Sequence, residues 1–285
     1  MGTVRLMTVG AHRIGNACLS LQFDSYLPKF EQTIIVSPLD GQRLDAVFQK
    51  YRINTSNFVY YNDQDIIDRY PQVAHWNLTG ETRGAWLQQQ AIKLAAIDMI
   101  DAEQLLIHDP DSFCIKPYEP FVNGELNLFY LPNTRHANGY YEAFTNATGF
   151  ARQTEHCFVC DMMPVRKQDW VGLKSFLQNK FSAHWLDTLI DCTPWDYVQN
   201  LKWFSEYEFL GNWHLANNKY YQLTQQHRYE IKNIEQLTHH TWPAECNFVS
   251  EKNPQGYLLR FNYADDTVAY FDEIYSRLAS HFNTV

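Results

Sequence analysis

The chain has 285 residues, a length that accommodates either one large α/β domain or two small ones. Hydrophobic residues make up 45% of it and aromatic residues 15%, a composition that excludes disorder and predicts a substantial core. The formal net charge of −9 disfavours bare nucleic acid and anionic membrane surfaces as partners. No stretch approaches the roughly 18 apolar residues of a membrane span. The N-terminal residues carry no signal-peptide pattern, so we expect a cytoplasmic protein.

The first 111 residues alternate between strand and helix patterns. Apolar runs predict strands at residues 4–10, 33–38, 58–62 and 105–108, and amphipathic stretches predict helices at 16–30, 44–51 and 84–100. This order predicts an α/β fold whose central sheet is mostly parallel, Rossmann-like and flanked by helices. No glycine-rich dinucleotide or P-loop motif follows any of these strands.

The second half has a different character. We predict strands at 126–131 and 156–163, a helix at 167–181, an aromatic-rich helical region at 195–215 and a final amphipathic helix at 268–282. No repeat, low-complexity tract or Gly/Ser linker divides the chain. We therefore expect a single domain over 1–285, with a nucleotide and metal half (1–118) and an acceptor half (119–285).

Two aspartates follow the fourth predicted strand. Asp109 and Asp111 come directly after a short apolar run, which reads as a buried parallel strand. The carboxyl edge of such a sheet is where ligands bind. Carboxylate oxygens at that edge can hold a hard divalent cation, which in turn holds the phosphates of a substrate. The pattern predicts a site for a metal and a diphosphate.

The helix before this strand carries polar side chains on one face. Trp86, Gln89, Gln90 and Lys93 follow the i, i+3, i+4, i+7 spacing of neighbours on a helix surface. Glutamine amides suit sugar hydroxyls or backbone groups, and a lysine can reach a phosphate. The alternative is that this face only packs on the sheet. Two glutamines and a lysine would then need buried polar partners, which favours a binding role.

The motif Trp86-x-x-Gln89-Gln90-x-x-Lys93-Leu94, followed by Asp109-x-Asp111, resembles a glycosyltransferase family. It is similar to small GT-A-type proteins of bacteria and phages in which a GW-x-x-QQ-x-x-KL helix precedes a D-x-D strand. The segment Ser205-Glu206-Tyr207 is similar to that family's later S-E-Y segment. The resemblance implies a GT-A fold and a hexosyl- or pentosyltransferase. Such an enzyme moves a sugar from a nucleotide-diphosphate sugar, such as a UDP-sugar, to a glycan or other hydroxyl acceptor, with a hydroxylated DNA base as the disfavoured acceptor.

The resemblance also implies roles for individual residues. The implied cofactor is a divalent metal, Mn²⁺ or Mg²⁺, and its predicted ligands are Asp109, Asp111 and a histidine of the C-terminal half, His239 or the adjacent His240. Asp111 is counted as catalytic through that metal. Contacts to the nucleotide sugar are predicted for Thr8, Val9, Arg13, Trp86, Gln89, Gln90, Lys93 and Asp109.

Glu206 is the candidate general base, because an inverting transfer needs a carboxylate that faces the acceptor hydroxyl. It follows Ser205, a plausible N-cap, and lies among tryptophans that can stack on sugar rings. The alternative is a capping glutamate on an ordinary helix. A retaining mechanism would use no such base, and the sequence decides neither this nor the donor, the acceptor or the oligomeric state.

Two other classes of function stay open at this point. A metal-dependent phosphoesterase or nuclease also uses aspartates at strand ends, but it calls for more clustered acidic ligands than Asp109 and Asp111. A non-catalytic nucleotide-sugar-binding protein would bind the donor without turnover. An intact D-x-D motif together with Glu206 argues against that second alternative.

Overall fold

The protein is described by a computed structural model, which covers residues 2–24, 26–77, 82–114, 116–132, 138–196, 201–218, 220–231 and 257–261. The predicted ligand His239 and the predicted helix at 268–282 lie outside these residues. Among the helices described, none combines the length and the apolar character that crossing a bilayer requires.

The first half alternates strands and helices as the sequence predicts, with one further short helix, Asp63–Arg69, that was not predicted. In chain order its elements are β1 (Thr3–Thr8), α1 (Ile14–Phe23), β2 (Gln32–Ser37), α2 (Gly41–Lys50), β3 (Phe58–Asn62), α3 (Asp63–Arg69), α4 (Thr82–Met99) and β4 (Gln104–His108). Helix α1 ends at Phe23 rather than at residue 30. Pro28 explains part of this difference, because proline disfavours helical backbone at the residue before it.

The second half is more irregular than predicted. Its described elements are β5 (Ser112–Cys114), β6 (Phe121–Val122), β7 (Glu125–Tyr130), α5 (Asn138–Thr148), β8 (Met162–Arg166), α6 (Lys167–Phe181), α7 (Trp185–Cys192), β9 (Trp195–Asp196), β10 (Leu201–Lys202), α8 (Glu206–Asn217), β11 (Tyr221–Gln225), β12 (His227–Ile231) and β13 (Tyr257–Phe261). Helix α6 has the predicted bounds, whereas two other predictions in this half are wrong.

The predicted strand at 156–163 begins only at Met162, and Cys157 makes an isolated bridge with Leu131 instead. The predicted helical region at 195–215 is a helix only from Glu206 onward. Before it, β9 and β10 pair antiparallel, and the indole Nε1 of Trp203 donates to Asp196 at 2.9 Å. Dense aromatic residues mark buried chain but do not distinguish a short strand from a helix.

The central sheet has the strand order β3-β2-β1-β4-β8. The first four strands are parallel and β8 runs antiparallel to β4. Leu105, Leu106 and Ile107 are completely buried, as expected of a strand that is covered on both faces. On β1, Leu6 packs with residues of α4 while Met7 packs with residues of α1 and α2, because successive side chains point to opposite faces. The predicted fold class is confirmed: a mixed α/β domain with a mostly parallel sheet flanked by helices.

Candidate active site

A pocket of about 600 Å³ opens where β1 and β4 end. This is the edge of the sheet at which α/β proteins bind their ligands. Every candidate residue that was named from the sequence and that the structure describes lines this pocket: Thr8, Val9, Arg13, Trp86, Gln89, Gln90, Lys93, Asp109, Asp111 and Glu206. Residues that are far apart in the chain therefore meet in one cavity.

Three carboxylates meet at the end of β4. Oxygens of Asp109, Asp111 and Asp161 all lie within 4.8 Å of one another. Asp161 precedes β8, and the antiparallel register pairs His108 with Met162, so Asp161 lies opposite Asp109. The Asp109 N–H donates to the Asp161 carbonyl at 2.8 Å. Asp161 was not among the predicted ligands, because its place in the cluster depends on the pairing of β8 with β4.

The donor set of this cluster fits a hard cation. Three carboxylates converging from two adjacent strands offer the oxygen ligands that Mg²⁺ and Mn²⁺ prefer. The carboxamide of Gln226, a residue that is 2% exposed, donates to Asp161 Oδ2 at 3.4 Å and so restrains one member of the set. The predicted third ligand His239 lies outside the described residues, whereas Asp161 is in place.

Lys93 is buried between two carboxylates. Its Nζ lies 2.6 Å from Asp109 Oδ1 and 2.6 Å from Glu206 Oε1, and its side chain is only 4% exposed. Burial by itself would lower the pKa of Lys93, but the charges of Asp109 and Glu206 outweigh burial and raise it. Lys93 is therefore a charged ammonium that is compensated by two anions.

Glu206 is the first residue of α8, and it is 1% exposed. Helix α8 begins at Glu206 because the Ser205 hydroxyl accepts the Glu208 N–H at 3.3 Å, which is the N-cap role predicted for Ser205. The Gln90 carboxamide donates to Glu206 Oε1 at 2.8 Å when its NH₂ group faces the carboxylate. Burial raises the pKa of Glu206, and Lys93 lowers it by less.

The first turn of α8 contacts three separate parts of the site. Glu206 pairs with Lys93 of α4. Tyr207 donates its hydroxyl to Asp109 Oδ1 at 2.7 Å, at the end of β4. Glu208 accepts the N–H of Phe158 at 2.7 Å, and Phe158 lies in the segment that leads to Asp161. Three consecutive side chains therefore connect α8 to the rest of the pocket.

Helix α4 and the end of β1 also line the pocket. Gln89 Nε2 donates to the Thr8 hydroxyl at 3.2 Å and to the Thr8 carbonyl at 3.4 Å, so α4 supports the last residue of β1. Trp86 is partly exposed, and its ring lies 6.4 Å from that of Tyr140. The predicted polar face of α4 therefore combines internal contacts with an aromatic surface at the pocket.

Comparison with known protein families assigns this chain to one of them. A model described as "Family of unknown function (DUF6492)" matches residues 29–280, most of the chain. The chain belongs to that family. A search of curated proteins finds no match.

Solved structures resemble this DUF6492 member along nearly its whole length. Mouse xyloside xylosyltransferase 1 in its apo form matches with a TM-score of 0.53 and 11% identity, over 92% of this chain and 98% of that one. An active-site mutant of LgtC matches with a TM-score of 0.50 and 14% identity, over 98% of this chain and 95% of that one. At such identities the likeness concerns the fold, which is that of GT-A glycosyltransferases.

Proposed function

We propose that this protein is a metal-dependent glycosyltransferase that moves a sugar from a nucleotide-diphosphate sugar to a hydroxyl acceptor. The observation that carries the proposal is the cluster of Asp109, Asp111 and Asp161 at the carboxyl edge of a GT-A-like sheet. The cluster opens on a pocket of about 600 Å³, within the range of ordinary small-molecule sites.

In this proposal the three aspartates hold the metal. A divalent cation bound there supplies a Lewis acid that neutralises the charge of the departing diphosphate. Asp109 and Asp111 belong to the strand end that the sequence identified, and Asp161 comes from the strand that pairs with it. Mn²⁺ and Mg²⁺ both suit such an oxygen set.

The donor nucleotide occupies the end of β1. Thr8, Val9 and Arg13 line the pocket there, and the Arg13 guanidinium is suited to a phosphate or a ribose oxygen. Trp86 supplies an aromatic wall on the α4 side of the same cavity. This arrangement would place the nucleotide in the half formed by residues 1–118.

Glu206 acts in the proposal as the general base for the acceptor hydroxyl. It lines the same pocket from α8, within the half formed by residues 119–285. Because burial raises its pKa, the carboxylate takes up a proton more readily than an exposed glutamate does. A base on the acceptor side corresponds to an inverting transfer to a glycan hydroxyl.

The proposal is tested by the release of nucleotide diphosphate from a panel of UDP- and GDP-sugars, with simple glycans as acceptors and Mn²⁺ present. We expect wild-type protein to transfer from at least one donor, and chelation of the metal to stop the transfer. Asp111→Asn and Asp161→Asn each remove an anionic ligand, so activity should fall on the order of 100-fold in each variant.

Asp191→Asn is the matched control, because it makes the same change at an exposed position on α7. It should keep wild-type activity. Full metal-dependent transfer by Asp111→Asn would contradict the metal site. Hydrolysis of phosphate esters without any sugar transfer would replace the proposal with a phosphoesterase.

A further inference from the structure

The contacts of Lys93 leave its ammonium no proton for a ligand. A lysine ammonium has three N–H donors. Three oxygens surround it here: Asp109 Oδ1 at 2.6 Å, Glu206 Oε1 at 2.6 Å and the Tyr207 hydroxyl at 3.4 Å. A donor phosphate would have to displace one of these partners from a side chain that is 4% exposed.

Tyr207 contacts both Asp109 and Lys93. Its hydroxyl donates to Asp109 Oδ1 at 2.7 Å, so this one oxygen accepts from both Tyr207 and Lys93. The Lys93 ammonium also lies 4.7 Å from the centre of the Tyr207 ring, within cation–π range. Asp109 is thereby fixed from two directions by groups on α4 and α8.

From this geometry we infer that Lys93 and Tyr207 are positioning residues that hold the metal-binding carboxylate of Asp109 and the carboxylate of Glu206 in one arrangement. The inference rests on the proposed function and replaces the predicted role of Lys93 as a phosphate ligand. Groups that hydrogen-bond a metal-binding carboxylate orient it, and their loss costs about 10–100-fold in metal affinity or activity. Lys93 also lies between the partly exposed carboxylate of Asp109 and the buried carboxylate of Glu206, which would otherwise repel each other.

The first variant is Tyr207→Phe, which removes one hydroxyl and keeps the ring. Binding of Mn²⁺ is measured by electron paramagnetic resonance on the purified protein without any nucleotide. The positioning role predicts that Mn²⁺ binds about 10–100-fold more weakly, because Asp109 loses a donor. Tyr70→Phe is the matched control, since the Tyr70 hydroxyl donates to Asp98 at 2.8 Å and neither residue lines the pocket. It should bind Mn²⁺ as the wild type does.

The second variant is Lys93→Met, which keeps the length of the side chain and removes its charge. At saturating Mn²⁺ we expect a lower kcat with a nearly unchanged donor KM, because Asp109 and Glu206 lose the group that holds them. A phosphate ligand predicts instead a raised donor KM. That second pattern, or unaltered Mn²⁺ binding by Tyr207→Phe, would overturn the inference.

The same binding assay separates this inference from the proposed metal site. If Asp111→Asn loses Mn²⁺ binding while Tyr207→Phe keeps it, the metal site stands and the positioning role fails. If Asp111→Asn itself binds Mn²⁺ as the wild type does, the proposed metal function fails first. Should Lys93→Met not fold, the Tyr207→Phe result alone decides the inference.

Discussion

Glu206 combines two properties that support its proposed role as a base. It is 1% exposed, yet it lines the pocket, and burial raises its pKa despite the neighbouring Lys93. A buried capping glutamate with no chemical role would serve its own helix, but the N-cap of α8 is Ser205 and the Glu206 carboxylate accepts from Lys93 on α4. The side chain therefore reaches another element of the pocket in addition to its own backbone N–H.

The prediction at this scale concerns Glu206→Gln. The substitution keeps the shape of the side chain but removes its ability to accept a proton, so kcat for transfer should fall by roughly 10²–10⁴-fold. Binding of the donor, measured by calorimetry with Mn²⁺ present, should change little, because in the proposed function the donor is held by the aspartates and by the β1 side of the pocket. Transfer at a near-normal rate, or a product that keeps the donor's anomeric configuration, would remove Glu206 as the base.

At the scale of elements, α8 packs so closely that one glycine is required. A Cβ at Gly211 would overlap the ring of Phe158, which is completely buried. The segment containing Phe158 leads to Asp161, and Glu208 holds its backbone by accepting the Phe158 N–H. Helix α8 thus packs directly against the segment that leads to the third carboxylate, Asp161.

We therefore predict that Gly211→Ala destabilises the protein by about 1–3 kcal/mol, because overpacking outweighs the better helix propensity of alanine. Gly172→Ala on α6 is the matched control, since nothing lies within 4 Å of a Cβ there. That control should be neutral or stabilising by up to about 1 kcal/mol. Urea denaturation measures both free energies of unfolding. Equal free energies of unfolding for the two variants would show that Phe158 can move away from α8 without loss of stability.

Local patterns were sufficient for part of the site and insufficient for the rest. Asp109 and Asp111 could be predicted because they come directly after the apolar run of a buried strand, a pattern contained within a few residues. Asp161 belongs to the same cluster only because β8 pairs antiparallel with β4, and no local pattern reveals that pairing. The partners of Lys93 were missed for the same reason, since Asp109 and Glu206 reach it from different elements.

At the scale of the whole molecule, the order of strands and helices in the first half was predictable because strand-helix alternation dictates parallel neighbours. The smaller sheets were not. The order β11-β7-β6 and the order β12-β13-β5 each join strands from distant parts of the chain. Short strands of two to six residues carry little periodic signal, so their partners are chosen by tertiary packing.

The whole fold should respond to ligands that bind only its native state. With a nucleotide-diphosphate sugar at 100 times its Kd, the free energy of unfolding should rise by about 2.7 kcal/mol. We expect this rise to require Mn²⁺ and to vanish in Asp111→Asn, which thermal unfolding curves would show as a shift in Tm. A shift of the same size in the absence of metal would indicate a binding protein whose nucleotide site does not depend on the aspartates.

The contacts of the first turn of α8 also require that the helix has one particular rotation about its own axis. Glu206, Tyr207 and Glu208 point in three directions about the helix axis, and each direction serves a different neighbour. One residue inserted after Glu208 would turn these three side chains by about 100° relative to the rest of α8, so all three would lose their neighbours together. The site is thus more sensitive to a change of length in this turn than to many changes of residue type.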